Sequence, residues 1–191
     1  MTLPAALLDA LAAEAVREGL ADAVFTRLDT PLGRLLVVQG EEGIVRVAFP
    51  EEREDAVLAE VAGALGARVL ASDRQLAGTR DVLGAYLEGD PVDLDLPVDL
   101  RLVRQPFRRA VLQELKEGVP RGEVVTYGTL AARAGSAKAA RAVGTACARN
   151  PVPLVVPCHR VVPGSGGIGS YGGGRERKER LLALEGALRR Q

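Results

Sequence analysis

Apolar residues recur along this chain with two different periods, and the switch from one to the other divides it. Residues 5–18 set Leu8, Leu11, Ala12, Ala15 and Val16 on one face and Asp9, Glu14, Arg17 and Glu18 on the other, with Gly19 as a stop. That spacing predicts an amphipathic helix. Short apolar runs follow at Val24–Leu28, Leu35–Val38 and Ile44–Phe49, separated by Thr30-Pro31-Leu32-Gly33 and by Gln39-Gly40-Glu41-Glu42-Gly43. Strand-length runs between Gly and Pro punctuation predict an antiparallel meander. Helical spacing returns over Glu54–Leu65, a short strand is expected at Val69-Leu70, and a second helix at Asp73–Leu87. A polar connector then runs from Gly89 to Asp99.

Beyond residue 100 the pattern is mainly helical. Pro106 suits the first turn of a helix to Glu117, which Gly118-Val119-Pro120-Arg121-Gly122 ends. Thr126 is the expected N-cap of a helix Tyr127–Ala134, Gly135 its stop, and Ser136 the cap of the next helix, Ala137–Ala148. Two short helices joined by a Gly-Ser turn predict a helix-turn-helix. The second is rich in small residues, which let a helix lie close against another surface, and Lys138 and Arg141 fall on one of its faces. The run Asn150–Val156 reads as a buried strand that Pro151, Pro153 and Pro157 confine to an edge or a sharp bend. A glycine-rich stretch around Ile168–Tyr171 leads into a basic amphipathic helix, Arg175–Leu188. There Leu181, Leu182 and Leu184 face inward, and Glu185 sits at the end of the apolar face. These elements predict an α/β (α+β) protein in three parts. They are a helical extension at 1–22, a small antiparallel sheet with helices at 23–99, and a mainly helical part at 100–191 carrying the helix-turn-helix and an active-site loop.

Charge sharpens the division. The 191 residues balance to a net charge of zero. Residues 1–100 carry 8 Lys/Arg against 19 Asp/Glu, whereas residues 101–191 carry 17 against 6. An asymmetry of that size suggests that the second half meets a polyanion, although opposed solvated faces would give the same count. With the helix-turn-helix, DNA becomes the expected partner. Two Cys and one His cannot supply a disulfide framework or a thiol-rich zinc site, so no metal is expected. Reduced thiols in a cytosolic compartment follow as the default. No apolar run is long enough to span a bilayer and no basic leader precedes residues 3–16, so no membrane association is expected.

Candidate chemistry sits at Pro157-Cys158-His159-Arg160, where the only histidine of the chain adjoins a cysteine. Many cysteines are passive core residues. A neighbouring His and Arg, both costly to bury unpaired, argue for a site instead. A thiol of ordinary pKa near 8.5 is barely ionised at neutral pH and needs a base, and His159 is the only imidazole available. Adjacent residues on a strand point to opposite faces, which disfavours a direct Cys158–His159 pair and with it a cysteine hydrolase.

The ordered strings TYGTLA, KAARAVG, ARNPVP, PCHRVV, GSYGGG and LLALEG resemble the O6-alkylguanine-DNA alkyltransferases, also called methylated-DNA–protein-cysteine methyltransferases. The resemblance covers most of the chain, from Val24 to Gly186, and is densest from Phe107 onward. It implies irreversible, once-only transfer of a methyl or alkyl group from O6-alkylguanine in DNA to Cys158, with no cofactor and with O4-alkylthymine left open as a substrate. It further implies that His159 reaches the thiol through a water, that Glu185 orients His159, and that Asn150 braces the turn presenting the thiol. Tyr127 would rotate the nucleotide and protonate the departing guanine at N3. Tyr171 would wall the pocket, the backbone of Val161 and Gly172 would read the base edge, and Arg160 joins these substrate-binding residues. Arg141 would fill the stack vacated by a flipped base from the minor groove, with Lys138, Thr126 and Ser136 as further DNA contacts. The implied partner is double-stranded DNA, bound by a monomer with cooperative assembly left open. The implied location is cytoplasmic, on the nucleoid when bound.

Two departures stand out. Leu112 occupies a position where many relatives carry Trp, and this chain has no Trp at all. Cys147 has no motif role and reads as a packed thiol. The first half resembles a domain of architectural role, without the ligands of the family's zinc-binding variants. A rival reading is a non-catalytic lesion sensor that binds damaged DNA and recruits other repair; such proteins lack the acceptor cysteine that stands here at Cys158.

Overall fold

The structure is a computed structural model that describes residues 5–187, the side chains of residues 5, 6 and 8 excepted. Leu188 and the side chain of Leu8, both invoked above, lie outside the described residues. The chain divides into two compact units, Met1–Leu102 and Val103–Gln191.

In the first unit, β1 (Ala23–Thr30), β2 (Gly33–Gly40) and β3 (Gly43–Ala48) form the expected meander. The short β4 (Val69–Ala71) adds in parallel to β1, giving the order β3-β2-β1-β4. Phe25, Leu36, Val38, Val45 and Ala48 form one face, onto which α2 (Glu54–Leu65) presses Val57 and Val61, one turn apart. The alternate residues Val24, Leu35, Val37, Ile44 and Val47 are buried as well. α3 (Ala77–Glu88) packs on β1 and contributes buried Leu83, Tyr86 and Leu87. A sheet covered on both faces explains why its strands read as continuous apolar runs rather than alternating ones.

Three expectations need correction here. The helix expected from Asp73 begins only at Ala77, because Asp73 is held outside it by the Thr26 hydroxyl and the Arg80 guanidinium. The connector is more than a spacer. Pro97 accepts the Ile44 N–H at 2.8 Å and Asp99 donates back to Ile44 at 2.9 Å, so the segment lines the free edge of β3. Gly43 admits this approach, since a Cβ there would stand 2.5 Å from the Pro97 carbonyl. The first helix, α1 (Ala5–Arg17), buries Ala12 but leaves Leu11 and Val16 exposed, so its expected apolar face is only partly covered. Asp9 ties α1 down by accepting a hydrogen bond from Ser72 at 2.9 Å, just past the edge strand β4.

The second unit is built on α4 (Pro106–Gly118), whose buried Val111, Leu112 and Leu115 meet α5 (Tyr127–Arg133) and α6 (Ala140–Ala148). Leu112 is fully buried and fills its core position without a tryptophan. Two short parallel strands, β5 (Val125–Thr126) and β6 (Val161–Val162), bring the start of α5 beside the segment after Cys158. α7 (Arg175–Leu184) then packs against that segment. The second helix of the helix-turn-helix starts later than the sequence suggests, at Ala140, after a turn in which the Ala139 N–H bonds the Ser136 carbonyl. Ser136 therefore makes no side-chain cap, and Lys138 precedes the helix instead of sharing a face with Arg141. α7 ends at Leu184, placing Glu185 at its C-terminal cap. Among the described residues no helix is long and apolar enough to cross a membrane.

Candidate active site

Prolines decide how Cys158 is presented. Pro151, Pro153 and Pro157 carry no N–H for a sheet ladder, and the segment folds not as the expected strand but as a fully buried loop. Asn150 replaces the missing ladder. Its Oδ1 accepts the Val152 N–H at 3.0 Å, and its Nδ2 donates to the Val156 carbonyl at 2.8 Å. The loop closes through the Val156 N–H on the Val152 carbonyl at 2.9 Å, and Leu154 takes a left-handed φ of 76°. The same Asn150 amide donates to Cys158 Sγ at 3.1 Å. One side chain thus shapes the loop and holds the sulfur.

Cys158–Arg160 make a single 3₁₀ turn, all three side chains buried. The turn still sends the thiol and the imidazole to different partners, so the separation argued from strand alternation holds for another reason. His159 Nε2 lies 3.0 Å from Glu185 Oε1. That carboxylate also takes Arg160 through two bonds, Nη2 to Oε1 at 2.8 Å and Nε to Oε2 at 2.9 Å. Arg160 Nη1 donates to the Val119 carbonyl. Glu185, which could have been an ordinary solvated helix-end carboxylate, has a fully buried side chain. Arg160, placed above with the substrate-binding residues, has its guanidinium committed to Glu185 and Val119.

A carboxylate flanked by Arg160 has no proton to give, so His159 Nε2 carries the hydrogen and Nδ1 carries the lone pair. Nδ1 is buried and makes no hydrogen bond among the described residues. Tyr171 meets the imidazole edge-on, ring centres 6.3 Å apart at 89°. Burial pulls the His159 pKa below its usual range against the support of Glu185, so the resting imidazole is neutral. Burial likewise pushes the Cys158 thiol up to about 11, opposed by the Asn150 hydrogen bond and by the positive charge of Lys178. At neutral pH the site rests as a thiol beside a neutral base.

The remaining residues named from sequence fall into two groups. Tyr127 is half-buried, its pKa raised by burial and by the two nearby thiols, and its hydroxyl lies against Gly169. Gly169 has φ +71°, and a Cβ there would come within 2.9 Å of the Pro163 ring and 3.7 Å of the Tyr127 hydroxyl. Val161 is buried on β6, and Gly172 lies near the Ala148 carbonyl at the end of α6. Arg141 and Lys138 are exposed and apart from the buried cluster. Thr126 Oγ1 is spent on capping α5, accepting the Thr129 N–H at 3.1 Å. Among the described residues no group of three or more His, Cys, Asp or Glu could hold a metal.

Sequence reading missed Lys178. It is completely buried, and its Nζ donates to the carbonyls of Val161 at 2.6 Å and Ser170 at 3.2 Å. The signal was present: Lys178, Leu181, Leu182 and Glu185 repeat at helical spacing on one buried stripe of α7. A lysine inside an apolar stripe is unusual enough to single out.

The chain matches two family descriptions, "6-O-methylguanine DNA methyltransferase, ribonuclease-like domain" over residues 23–100 and "6-O-methylguanine DNA methyltransferase, DNA binding domain" over residues 106–187. It is 41% identical over 165 residues to the human methylated-DNA–protein-cysteine methyltransferase, covering 84% of this chain and 79% of that protein. To the protein of the same name from Salmonella typhimurium it is 38% identical over 164 residues, covering 85% and 95%. The match to that of Mycolicibacterium paratuberculosis, 46% identical, spans 59% of this chain and 66% of that protein. Among solved structures, Mycobacterium tuberculosis OGT in complex with DNA superposes with a TM-score of 0.71 at 32% identity, covering 85% of this chain and 92% of that one.

Proposed function

This chain belongs to the methylated-DNA–protein-cysteine methyltransferase family, and we propose that it repairs DNA by moving an alkyl group from O6-alkylguanine to Cys158. One observation carries the reading. A buried thiol bonded to Asn150 adjoins, in one turn, an imidazole whose far nitrogen is fixed by a buried carboxylate.

The geometry supports a definite sequence of steps. With Nε2–H committed to Glu185, Nδ1 is the atom that receives the Cys158 proton, through one intervening water. Glu185 then supports the imidazolium, and Asn150 Nδ2 donates to the thiolate it creates. The sulfur attacks the alkyl carbon; the S–C bond forms as the C–O6 bond breaks, and the electron pair leaves with guanine. Tyr127 supplies a proton to N3 of that base and recovers one from His159. No group in this scheme cleaves the resulting thioether, so each molecule acts once.

The target oxygen lies within the duplex, so the base must be extruded before the sulfur can reach it. Arg141, exposed on the second turn-flanking helix, fills the gap from the minor groove, and Tyr171 walls the pocket. O4-alkylthymine fits the same chemistry as a secondary substrate.

The test is intact-protein mass after incubation with a duplex bearing one O6-methylguanine, with Cys158→Ala alongside. The expected result is a gain of one methylene on the unaltered protein alone, stopping at one per molecule. Tight lesion binding without any gain would make the protein a sensor, and neither binding nor gain would overturn both readings.

A further inference from the structure

The exposed face of α6 carries Arg141, Ala142, Thr145 and Ala148, with Arg149 exposed at its C-terminal cap. Arginine only donates hydrogen bonds and the alanine side chain makes none. Among the described residues of this face, Thr145 is therefore the side chain that can accept. It stands one turn after Arg141 on the same side of the helix, and its hydroxyl donates to the Arg141 carbonyl at 3.2 Å. A bond of this kind to the preceding turn is common in helices; its importance lies in what it leaves over. With the hydrogen turned inward, the oxygen offers only lone pairs to the outside, and giving up that hydrogen makes it a better acceptor. Ala142 and Ala148, exposed one turn to either side, project no further than a methyl group, so another surface can come close to it.

Donors and acceptors read different things in a minor groove. Every base pair shows acceptors on that edge, so donating arginines bind there without choosing between pairs. The base donor on that edge is the N2 amino group of guanine, and only a G·C pair has it. We propose that Thr145 is a specificity-determining residue, accepting a hydrogen bond from the N2 amino group of an intact guanine near the lesion, so that the protein engages O6-alkylguanine best beside a G·C pair. This rests on the reading of α6 as a minor-groove helix whose Arg141 enters the vacated stack, and it adds to that reading a preference for sequence. Four residues of helix advance ~6 Å, about the rise of two base pairs, so the guanine concerned lies within about two pairs of the flipped nucleotide.

The test is equilibrium binding by fluorescence anisotropy, with Cys158→Ala so that no alkyl group moves. The duplexes carry one O6-methylguanine and, within two pairs on either side, guanine, inosine or 7-deazaguanine opposite cytosine. Inosine lacks the N2 amino group of the minor groove, whereas 7-deazaguanine is altered only in the major groove. Guanine should bind about three- to tenfold more tightly than inosine at one or more of these positions, and 7-deazaguanine as tightly as guanine. Thr145→Val in the same background keeps the branched shape of an exposed side chain and should bind guanine and inosine duplexes alike. Thr145→Ser should keep the difference. Equal affinity for all three duplexes overturns the proposal and leaves the groove reading standing, as does a preference for guanine that survives in Thr145→Val. Sensitivity to 7-deazaguanine without sensitivity to inosine would place α6 in the major groove and overturn the proposal together with the reading beneath it. Alkyl transfer is followed separately by mass, so its absence would leave this comparison of affinities intact.

Discussion

His159 carries the pH dependence of this site. Its folded pKa lies below its unfolded value of about 6.5, so in acid the unfolded chain takes up the proton first. Its contribution to stability is complete above that value and is lost as pH falls through the folded one, by up to about 1.4 kcal/mol per pH unit between them. Thermal unfolding should therefore occur at lower temperature as the buffer is acidified below about pH 6.5, with a flatter dependence in His159→Gln. Glu185→Gln tests the other half of the pair. It leaves the Arg160 guanidinium buried without its anion and should cost about 3–5 kcal/mol, read as a drop in denaturant midpoint, with loss of alkyl transfer in whatever protein remains folded. The pairing of His159 with Glu185 was legible from the motif strings, yet the commitment of Arg160 was not. A basic residue beside a cysteine looks the same in sequence whether it faces substrate or a carboxylate 25 residues away.

The loop Asn150–Pro157 shows how a right inference about content can give a wrong element. The apolar run is buried as expected, but its prolines leave too few N–H groups for pairing, and Asn150 supplies the bonds a strand would have provided. Proline spacing warned of a bend; that an asparagine side chain would organise it depends on contacts several residues apart. Leu154 offers a test of how this loop is balanced. Its left-handed backbone costs about 1–2 kcal/mol, which glycine would relieve, but burial of the leucine is worth about 2–5 kcal/mol. Packing should win, so Leu154→Gly should lower the urea midpoint. In the helix-turn-helix, Arg141→Ala should weaken repair in duplex more than in single strands, because only the duplex requires extrusion of the base. Equal loss on both would count against its role in the stack.

For the molecule as a whole, the charge split makes a prediction about salt. The excess of 17 basic over 6 acidic residues in 101–191 should make affinity for undamaged duplex fall linearly with the logarithm of salt concentration, by about 0.9 per phosphate neutralised. Fluorescence anisotropy across a salt series measures that slope. Arg141→Ala should leave it nearly unchanged if the side chain occupies the stack, and reduce it by about one if it binds a phosphate. The switch of apolar period and of charge near residue 100 falls beside the boundary between the two compact units at Leu102, whereas the separate extension expected at 1–22 lies within the first unit. Where each helix begins was not legible, because Asp73 and Ser136 are claimed by bonds that no local pattern announces.

The placement of Glu185 at the end of α7 also has a consequence in time. A ribosome makes Cys158 first and the carboxylate that orients its neighbouring base afterwards, a delay of seconds at roughly 5–20 residues per second. Until α7 emerges and docks, Glu185 cannot fix the imidazole of His159, and the newborn thiol has no oriented base. The chain thus gains the base that draws off its acceptor's proton only after that acceptor has been made, and alkyl transfer waits on the docking of the last helix.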